Sequence, residues 1–352
     1  MQYVDFYTIS RSFQSFWAHE YTGRCICNIT APKNKQIKYQ STNYDELVKY
    51  WTNEEEILRR YRAAFENTYF LGEAFPLFIL DLGAGGHAGY FNGIKYQFAD
   101  NTVWFFPLEE NEPLTFSKEN FLYRKTIEIA KYAVNESRGN FIVSMPDNSG
   151  NLDALAHLRG SENLLMNMIT SPETVLEELK IIQKAWETMT SEVYDIVKQN
   201  NYGGSSIGWM GTYAKGLHFQ LQSDISVMLS PDFFHKFVFD ELKLQSDFLD
   251  YATYHLDGAE QIRFLDELLS IEKIKMIQYT CVVGQPSPLE KIDVLKKIQK
   301  SGKLLLIMAN PEWVKPLLEN LSASGLFLKI ALDNPEQADD IFKIICRYSK
   351  ER

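Results

Sequence analysis

The sequence predicts an α/β protein, a (β/α)8 TIM barrel with an N-terminal extension, and three observations carry that reading. Eight short apolar runs, at 76–81, 140–145, 206–210, 219–224, 253–257, 275–279, 303–308 and 326–332, alternate with helical stretches. Their length suits strands buried on both faces, and strand-then-helix repetition implies parallel strands with crossover helices. Five of the helical stretches open on Ser-Pro or Asn-Pro. No GxGxxG or Walker motif follows an early strand, so the signatures of the competing open, doubly wound sheet are missing. A barrel of about 250 residues leaves the rest of the 352-residue chain for an extension.

Residues 1–75 do not share the strand-helix rhythm. The segment 54–67 (EEEILRRYRAAFEN) reads as a charged amphipathic helix and the polar stretch 31–43 as a loop or hairpin. The expected domain boundary is therefore near 75, with 1–75 packed on a barrel spanning 76–352. Gly83, Gly85 and Gly86 with His87 predict a flexible loop over the barrel mouth. Further on, Ser171-Pro172, Ser230-Pro231, Ser287-Pro288, Asn310-Pro311 and Asn334-Pro335 mark helix starts. Ser or Asn can cap the free N–H groups, and Pro at the first helical position gives up a donor that had no partner. Glu290 and Gln337 stand at the capping-box position, three residues after their caps.

Composition narrows the function classes. With 45% hydrophobic and 23% charged residues the chain can bury a full core. A net charge of −10 disfavours a nucleic-acid partner. Four cysteines, the closest pair spaced CxC at Cys25 and Cys27, do not make a disulfide framework, and a reduced cytoplasmic setting is expected. Neither a signal peptide nor an apolar run approaching ~18 residues is evident.

A barrel places its site at the C-terminal ends of its strands. Read strand by strand, those ends carry Asp81, Asp147, Trp209, Asp224, His255 with Asp257, Gln278 with Tyr279, Asn310 and Asp333. His255 and Asp257 are two residues apart, so in a strand both side chains face the same way and can hold one metal ion or one substrate group. Two titratable groups inside a barrel mouth are costly unless used. His255, Asp257 and Asp224 are the catalytic candidates, and Asp81, Trp209, Gln278 and Tyr279 the substrate-binding ones. Asp81, Asp224, His255, Asp257 and Tyr279 are expected to converge on one cavity at the C-terminal barrel face. His87 and His218 remain candidates on mouth loops, while His19, His157 and His235 fall on helices.

Several stretches resemble the uroporphyrinogen decarboxylase superfamily: Tyr254-His255-Leu256-Asp257-Gly258, Ile277-Gln278-Tyr279, Met145-Pro146-Asp147 with Leu152-Asp153, and Leu221-Gln222-Ser223-Asp224. The chain looks closest to its corrinoid-linked methyltransferase branch, of the trimethylamine corrinoid protein type, from about residue 70 onward. The resemblance implies a (β/α)8 barrel. It lacks the Arg-rich segment with which porphyrinogen decarboxylases hold a polyacidic tetrapyrrole, so that activity is not expected of an acidic chain. The methyltransferase branch holds zinc through a His-x-Cys pair and a later Cys. Here His255 matches the first ligand, Asp257 stands in place of the Cys, and 329–334 (KIALDN) contains no third. The implied site is an oxygen- and nitrogen-rich one at His255 and Asp257 that binds zinc or another divalent ion weakly. Cys281 and Cys346 match no ligand position.

The expected function is methyl transfer involving a small methylated compound or a corrinoid protein, the corrinoid arriving only on that partner. Decarboxylation of a small or tetrapyrrole acid, or a non-catalytic binding barrel that has lost its zinc ligands, are the alternatives. A small-molecule substrate is implied, and a homodimer is allowed.

Overall fold

The computed structural model describes residues 5–34, 43–83, 85–109, 112–281 and 284–352. Within them lie strands β1 (Ile26–Pro32), β2 (Thr68–Gly72), β3 (Leu77–Phe78), β4 (Lys95–Phe98), β5 (Val103–Phe106), β6 (Ile142–Val143), β7 (His218–Leu221), β8 (Tyr251–Asp257), β9 (Ile274–Thr280), β10 (Leu304–Met308) and β11 (Leu326–Ala331). The main sheet runs β2-β1-β11-β10-β9-β8-β7. All its pairs are parallel except β1 with β2. Strands β3 and β6 form a separate parallel pair, and β4 and β5 an antiparallel ribbon. Among the described residues no strand pairing joins β3 to β1 or β6 to β7, so main-chain bonds do not close the ring.

Alternation along the strands divides the core in two. Met276, Leu304, Leu306 and Phe327 point to one face, where they meet Ile9, Phe13 and Phe16 of the helix Phe6–Trp17. Ile277, Leu305, Ile307, Leu326 and Leu328 point to the other, against the surrounding helices. The helix Phe6–Trp17 covers the inner face at the sheet's N-terminal end: Phe13 is fully buried, with its ring 5.7 Å from Phe327. Each such buried side chain contributes about 1.5–3 kcal/mol. Asp5 caps this helix by accepting from the N–H groups of Tyr7 and Thr8.

The five Pro-marked helices are present, each with its proline in the first turn. Ser230 accepts from Phe233 N, Asn334 from Gln337 N, and Glu290 from Ser287 N. Helix Glu54–Asn67 has the expected bounds. No helix among the described residues is long and apolar enough to cross a membrane.

Three expectations need correction. Residues 1–75 are not merely a cover, because β1 pairs with β11 and β2 with β1 inside the main sheet. The rhythm missed β1 because it is followed by two helices and an antiparallel return strand rather than by a single crossover helix. The run 206–210 is not a strand. Ile207 makes one bridge to Met145, and the chain then turns at Gly208–Gly211 and returns by the Ser205–Ala214 bridge. Gly211 has φ +66°, and a Cβ on Gly208 would lie 2.7 Å from Ile79, so these two glycines let the hairpin enter the interior. Finally, the expected flexible loop is not open at His87: residues 86–90 form a buried 3-10 turn, with His87 fully enclosed and its Nε2 3.3 Å from Asn151 Oδ1. Ala84 and most of the polar stretch 31–43 lie outside the described residues.

Candidate functional site

Strand β7 alternates cleanly. Phe219 and Leu221 enter the outer core, while His218, Gln220 and Gln222 face inward, and Asp224 follows in a 3-10 turn, Asp224–Met228. On β8, Ala252, Tyr254 and Leu256 face outward, which leaves Thr253, His255 and Asp257 inside. Parallel pairing of β7 with β8 brings Asp224 to the same end as Asp257. One ligand atom each of Asp224, His255 and Asp257 then lies within 4.8 Å of the others.

The imidazole is held in one tautomer. Gln278, inward on β9, donates from Nε2 to Thr280 Oγ1 (2.8 Å), so its Oε1 faces His255 Nδ1 as an acceptor. Nδ1 therefore carries the proton and Nε2 presents a lone pair, 3.8 Å from Asp257 Oδ1. Burial lowers the pKa of His255, which favours this neutral form, although Gln278 and Asp257 pull the other way. The edge of Trp209 meets the ring, centroids 5.0 Å apart. Trp209 in turn donates from Nε1 to Gln220 Oε1.

Two of the carboxyls, Asp224 and Asp147, are crowded and poorly solvated. Asp224 is pushed up to about 7, first by burial and then by the negative charges of Asp257 and Asp147. Its Oδ2 accepts from Gln222 Nε2 (3.1 Å), and its buried Oδ1 has no hydrogen-bond partner. Asp147 is also raised to about 7, by burial and by Asp81, against a 2.6 Å hydrogen bond from Gln220 Nε2. Asp81 itself is raised by burial, yet its carboxylate keeps solvent contact in a recess lined by Tyr50, Trp51, Arg60 and Tyr61. It accepts from Gly83 N at 2.6 Å. Asp81, Asp147, Asp224 and Asp257 thus form a row of carboxyls, each in electrostatic reach of the next, at the ends of β3, β6, β7 and β8.

Tyr279 does not join them. One position beyond inward-facing Gln278, it points into the outer core, because adjacent strand residues face opposite sides. Nor does His218, which starts β7 at the far end: its Nδ1 lies 2.7 Å from Tyr251 O and its Nε2 2.8 Å from Thr212 Oγ1. Asp333 is exposed, and Asn310 stands at the head of the helix Pro311–Asn320. Cys281 donates its S–H to Pro286 O (3.1 Å) and is not among the clustered ligands.

Asp153, a positioning residue, and Gly150, which makes room for it, were not among the candidates. Asp153, fully enclosed, accepts from the N–H groups of Gly150 (3.1 Å), Asp224 (3.0 Å) and Ile225 (2.8 Å), and so fixes the turn that carries Asp224. Gly150 allows it: a Cβ there would lie 2.0 Å from Gln222 O. The signal available in sequence was its place, an Asp three residues after Gly150 and just after Met145-Pro146-Asp147.

Comparison with known proteins adds the fold. Neither a protein-family model nor a curated protein matches the chain. Among solved structures, the chain is similar to a methyltransferase from Methanosarcina mazei, with a TM-score of 0.61 and 11% identity over 96% of this chain and 98% of that one. The likeness is one of fold, and it extends over both chains almost end to end.

Proposed function

We propose that the chain is a (β/α)8-barrel enzyme, with β1, β3, β6 and β7 through β11 as its eight staves, that binds a divalent metal ion at Asp224, His255 and Asp257 and acts in methyl transfer. The observation that carries the reading is that one ligand atom each of Asp224, His255 and Asp257 lies within 4.8 Å of the others, in a cluster where Asp224 keeps an oxygen without a hydrogen-bond partner and His255 Nε2 faces Asp257 Oδ1 at 3.8 Å. Two oxygens and one nitrogen, with no thiolate in the cluster, fit a borderline or hard divalent ion better than a thiolate-held zinc. A bound ion would supply Lewis acidity, making a thiol or hydroxyl acceptor easier to deprotonate. Gln278 orients His255, Gln222 and Asp153 orient Asp224, and Asp147 is poised to take up the acceptor's proton near neutral pH. Trp209 forms an apolar wall beside His255. The fold shared with a methyltransferase supports methyl transfer as the chemistry, and a corrinoid-carrying protein or a small methylated compound is the donor the family resemblance suggests.

The test uses methylcobalamin as donor and 2-mercaptoethanol as acceptor, with and without added Zn2+ or Mn2+. Metal-dependent loss of the methyl–cobalt absorbance, reduced at least about tenfold by Asp224→Asn, supports the proposal. Demethylation no faster than in the metal-free control, or indifferent to Asp224→Asn, overturns it. A second reading, decarboxylation of a small acid, draws on the carboxyls of Asp147 and Asp224 held near pH 7, from which a proton can be delivered to a carbanion. Release of CO2 from a candidate acid without methyl transfer would favour it.

A further inference from the structure

The inward face of β11 continues from Phe327 to Lys329, and that of β1 from Ile26 to Asn28, and the register pairs Asn28 directly with Lys329. Both line a cavity of about 430 Å3 at the opening between β1 and β3, walled by Phe65, Phe70, Phe75 and Leu77. The hairpin at Gly208–Gly211 runs alongside it, and Trp209 joins the two sides: its ring lies against His255, while its carbonyl oxygen accepts from Lys329 Nζ.

Three features of this cavity are unspent. Among the described residues the carbonyl of Trp209 is the one hydrogen-bond partner of Lys329, which leaves two N–H donors of the ammonium free. No Asp or Glu is among the residues lining the cavity, so the cation has no counter-ion there. Asn28 is nine-tenths buried, and its Nδ2 donates to Gly211 O (3.3 Å), which fixes the direction of an Oδ1 that has no partner. A half-buried cation without a counter-ion and a buried acceptor without a donor each cost free energy unless something supplies the missing partner.

We propose that Lys329 and Asn28 anchor a second ligand site, which binds a small apolar 2-hydroxy acid with its carboxylate on Lys329 and its hydroxyl donating to Asn28 Oδ1. Adjacent strands hold the two anchors about 5 Å apart, so the ligand's anion and donor must sit on neighbouring atoms. A 2-amino acid would supply the donor as a second cation beside Lys329, which the site disfavours. The Phe and Leu walls take the apolar remainder, and the volume falls in the range of small-molecule sites. Burial holds Lys329 down to about 8, which is what an ammonium without a counter-ion should show, and a bound carboxylate would raise it. The other titratable group lining the cavity is Tyr61, kept protonated by burial. The proposal does not depend on metal binding at His255.

The experiment uses the intact, metal-free protein and three probes: mandelate, phenylacetate, which lacks the hydroxyl, and 1-phenylethane-1,2-diol, which lacks the carboxylate. By calorimetry or ligand-observed NMR, mandelate should bind at least threefold more tightly than phenylacetate, and the diol should not bind. Lys329→Met should weaken mandelate at least tenfold, and Asn28→Leu should reduce it to the level of phenylacetate. On the wild-type protein, mandelate should protect Lys329, and no other lysine, from acetylation by acetic anhydride. The protection measurement requires no variant to fold. Failure of mandelate to bind below 10 mM, equal affinity for folded Lys329→Met, or unprotected Lys329 each overturns the proposal.

Discussion

The inner face of this sheet is built from one pattern and carries two opposite chemistries. On β7 and β8 the inward positions end in carboxyls and an imidazole, and with Asp147 after β6 and Asp153 on the helix that follows they are crowded until burial and like charges hold Asp147, Asp153 and Asp224 near 7. On β1 and β11 the same alternation delivers Asn28 and Lys329 to a mainly apolar cavity without an acidic group in its lining. The hairpin carrying Trp209 keeps the two apart, which matters because a carboxylate in contact with Lys329 would neutralise both. Separated, each side keeps an unmet demand: the first for a cation, the second for an anion.

The largest expected effect breaks the acidic side at its scaffold. Gly150→Ala would drive a methyl into the backbone carbonyl of Gln222 at 2.0 Å, so the main chain on one side must shift. A destabilisation of about 3 kcal/mol or more is expected, read as a lower midpoint in urea unfolding. A change below about 1 kcal/mol would mean that the 150–153 turn does not pack on β7 as described.

Next in size is His255→Ala, which should weaken divalent-ion binding about 100-fold in a metal titration while leaving mandelate affinity on the other side unchanged. Coupled losses at both sites would show that they are one cavity and dissolve the comparison. Cys281→Ala should change metal uptake by less than twofold, because its thiol is spent on Pro286 O rather than on the cluster.

A third effect is of pH. Asp147, Asp153 and Asp224 are harder to ionise in the folded chain than in the unfolded one, where a carboxyl titrates near 4. Between about pH 4 and 7 the folded protein therefore binds protons that the unfolded chain has released, and stability falls as pH rises through that window. In chelator, thermal unfolding should occur at a higher temperature at pH 5.5 than at pH 8, the difference amounting to about 1–3 kcal/mol. Asp147→Asn should flatten the slope, and a saturating divalent ion should reduce it further by pairing ionised Asp224. Greater stability at pH 8 in chelator would show that the carboxyls are better solvated than their surroundings imply.

What the sequence made legible divides along the same lines. The Pro-marked helix starts were readable because capping is local chemistry, and the spacing of His255 and Asp257 because strand alternation is strict. Strand β1 was hidden because its partner, β11, lies three hundred residues away and its return, β2, is antiparallel. The run 206–210 looks like a strand because Ile207 and Met210 are buried as strand residues would be, and only the glycines at 208 and 211 betray the turn. Asp153 was overlooked because satisfying three backbone N–H groups leaves no mark on composition. Lys329 did leave a mark, a lysine two positions after a buried Phe inside the run LFLKIA, but a charge in a strand is usually a solvated one. Only the parity shared with Phe327 turns it inward.

Parity also supplies the smallest and most selective test, at two adjacent residues of β9. Gln278 and Tyr279 are both buried and both polar, and both stand near the strand's C-terminal end, so sequence position alone ranks them equally. The pleat sends Gln278 toward His255 Nδ1 and Tyr279 into the helix layer. Gln278→Leu removes the acceptor that holds the imidazole proton on Nδ1, which frees the ring to turn or to protonate Nε2. Outer partners of metal-bound histidines are worth about 10–100-fold in metal affinity, and a loss at the lower end is expected, since Thr280 Oγ1 lies 3.5 Å from Nδ1 and can take over in part. Tyr279→Phe should leave metal affinity within twofold of the wild type and shift stability by less than about 1 kcal/mol, because it keeps the ring that packs in the outer core. If the two variants lose metal to the same extent, the strand carries no parity at this point and Tyr279 belongs to the site after all. If neither loses any, His255 is oriented by something other than Gln278.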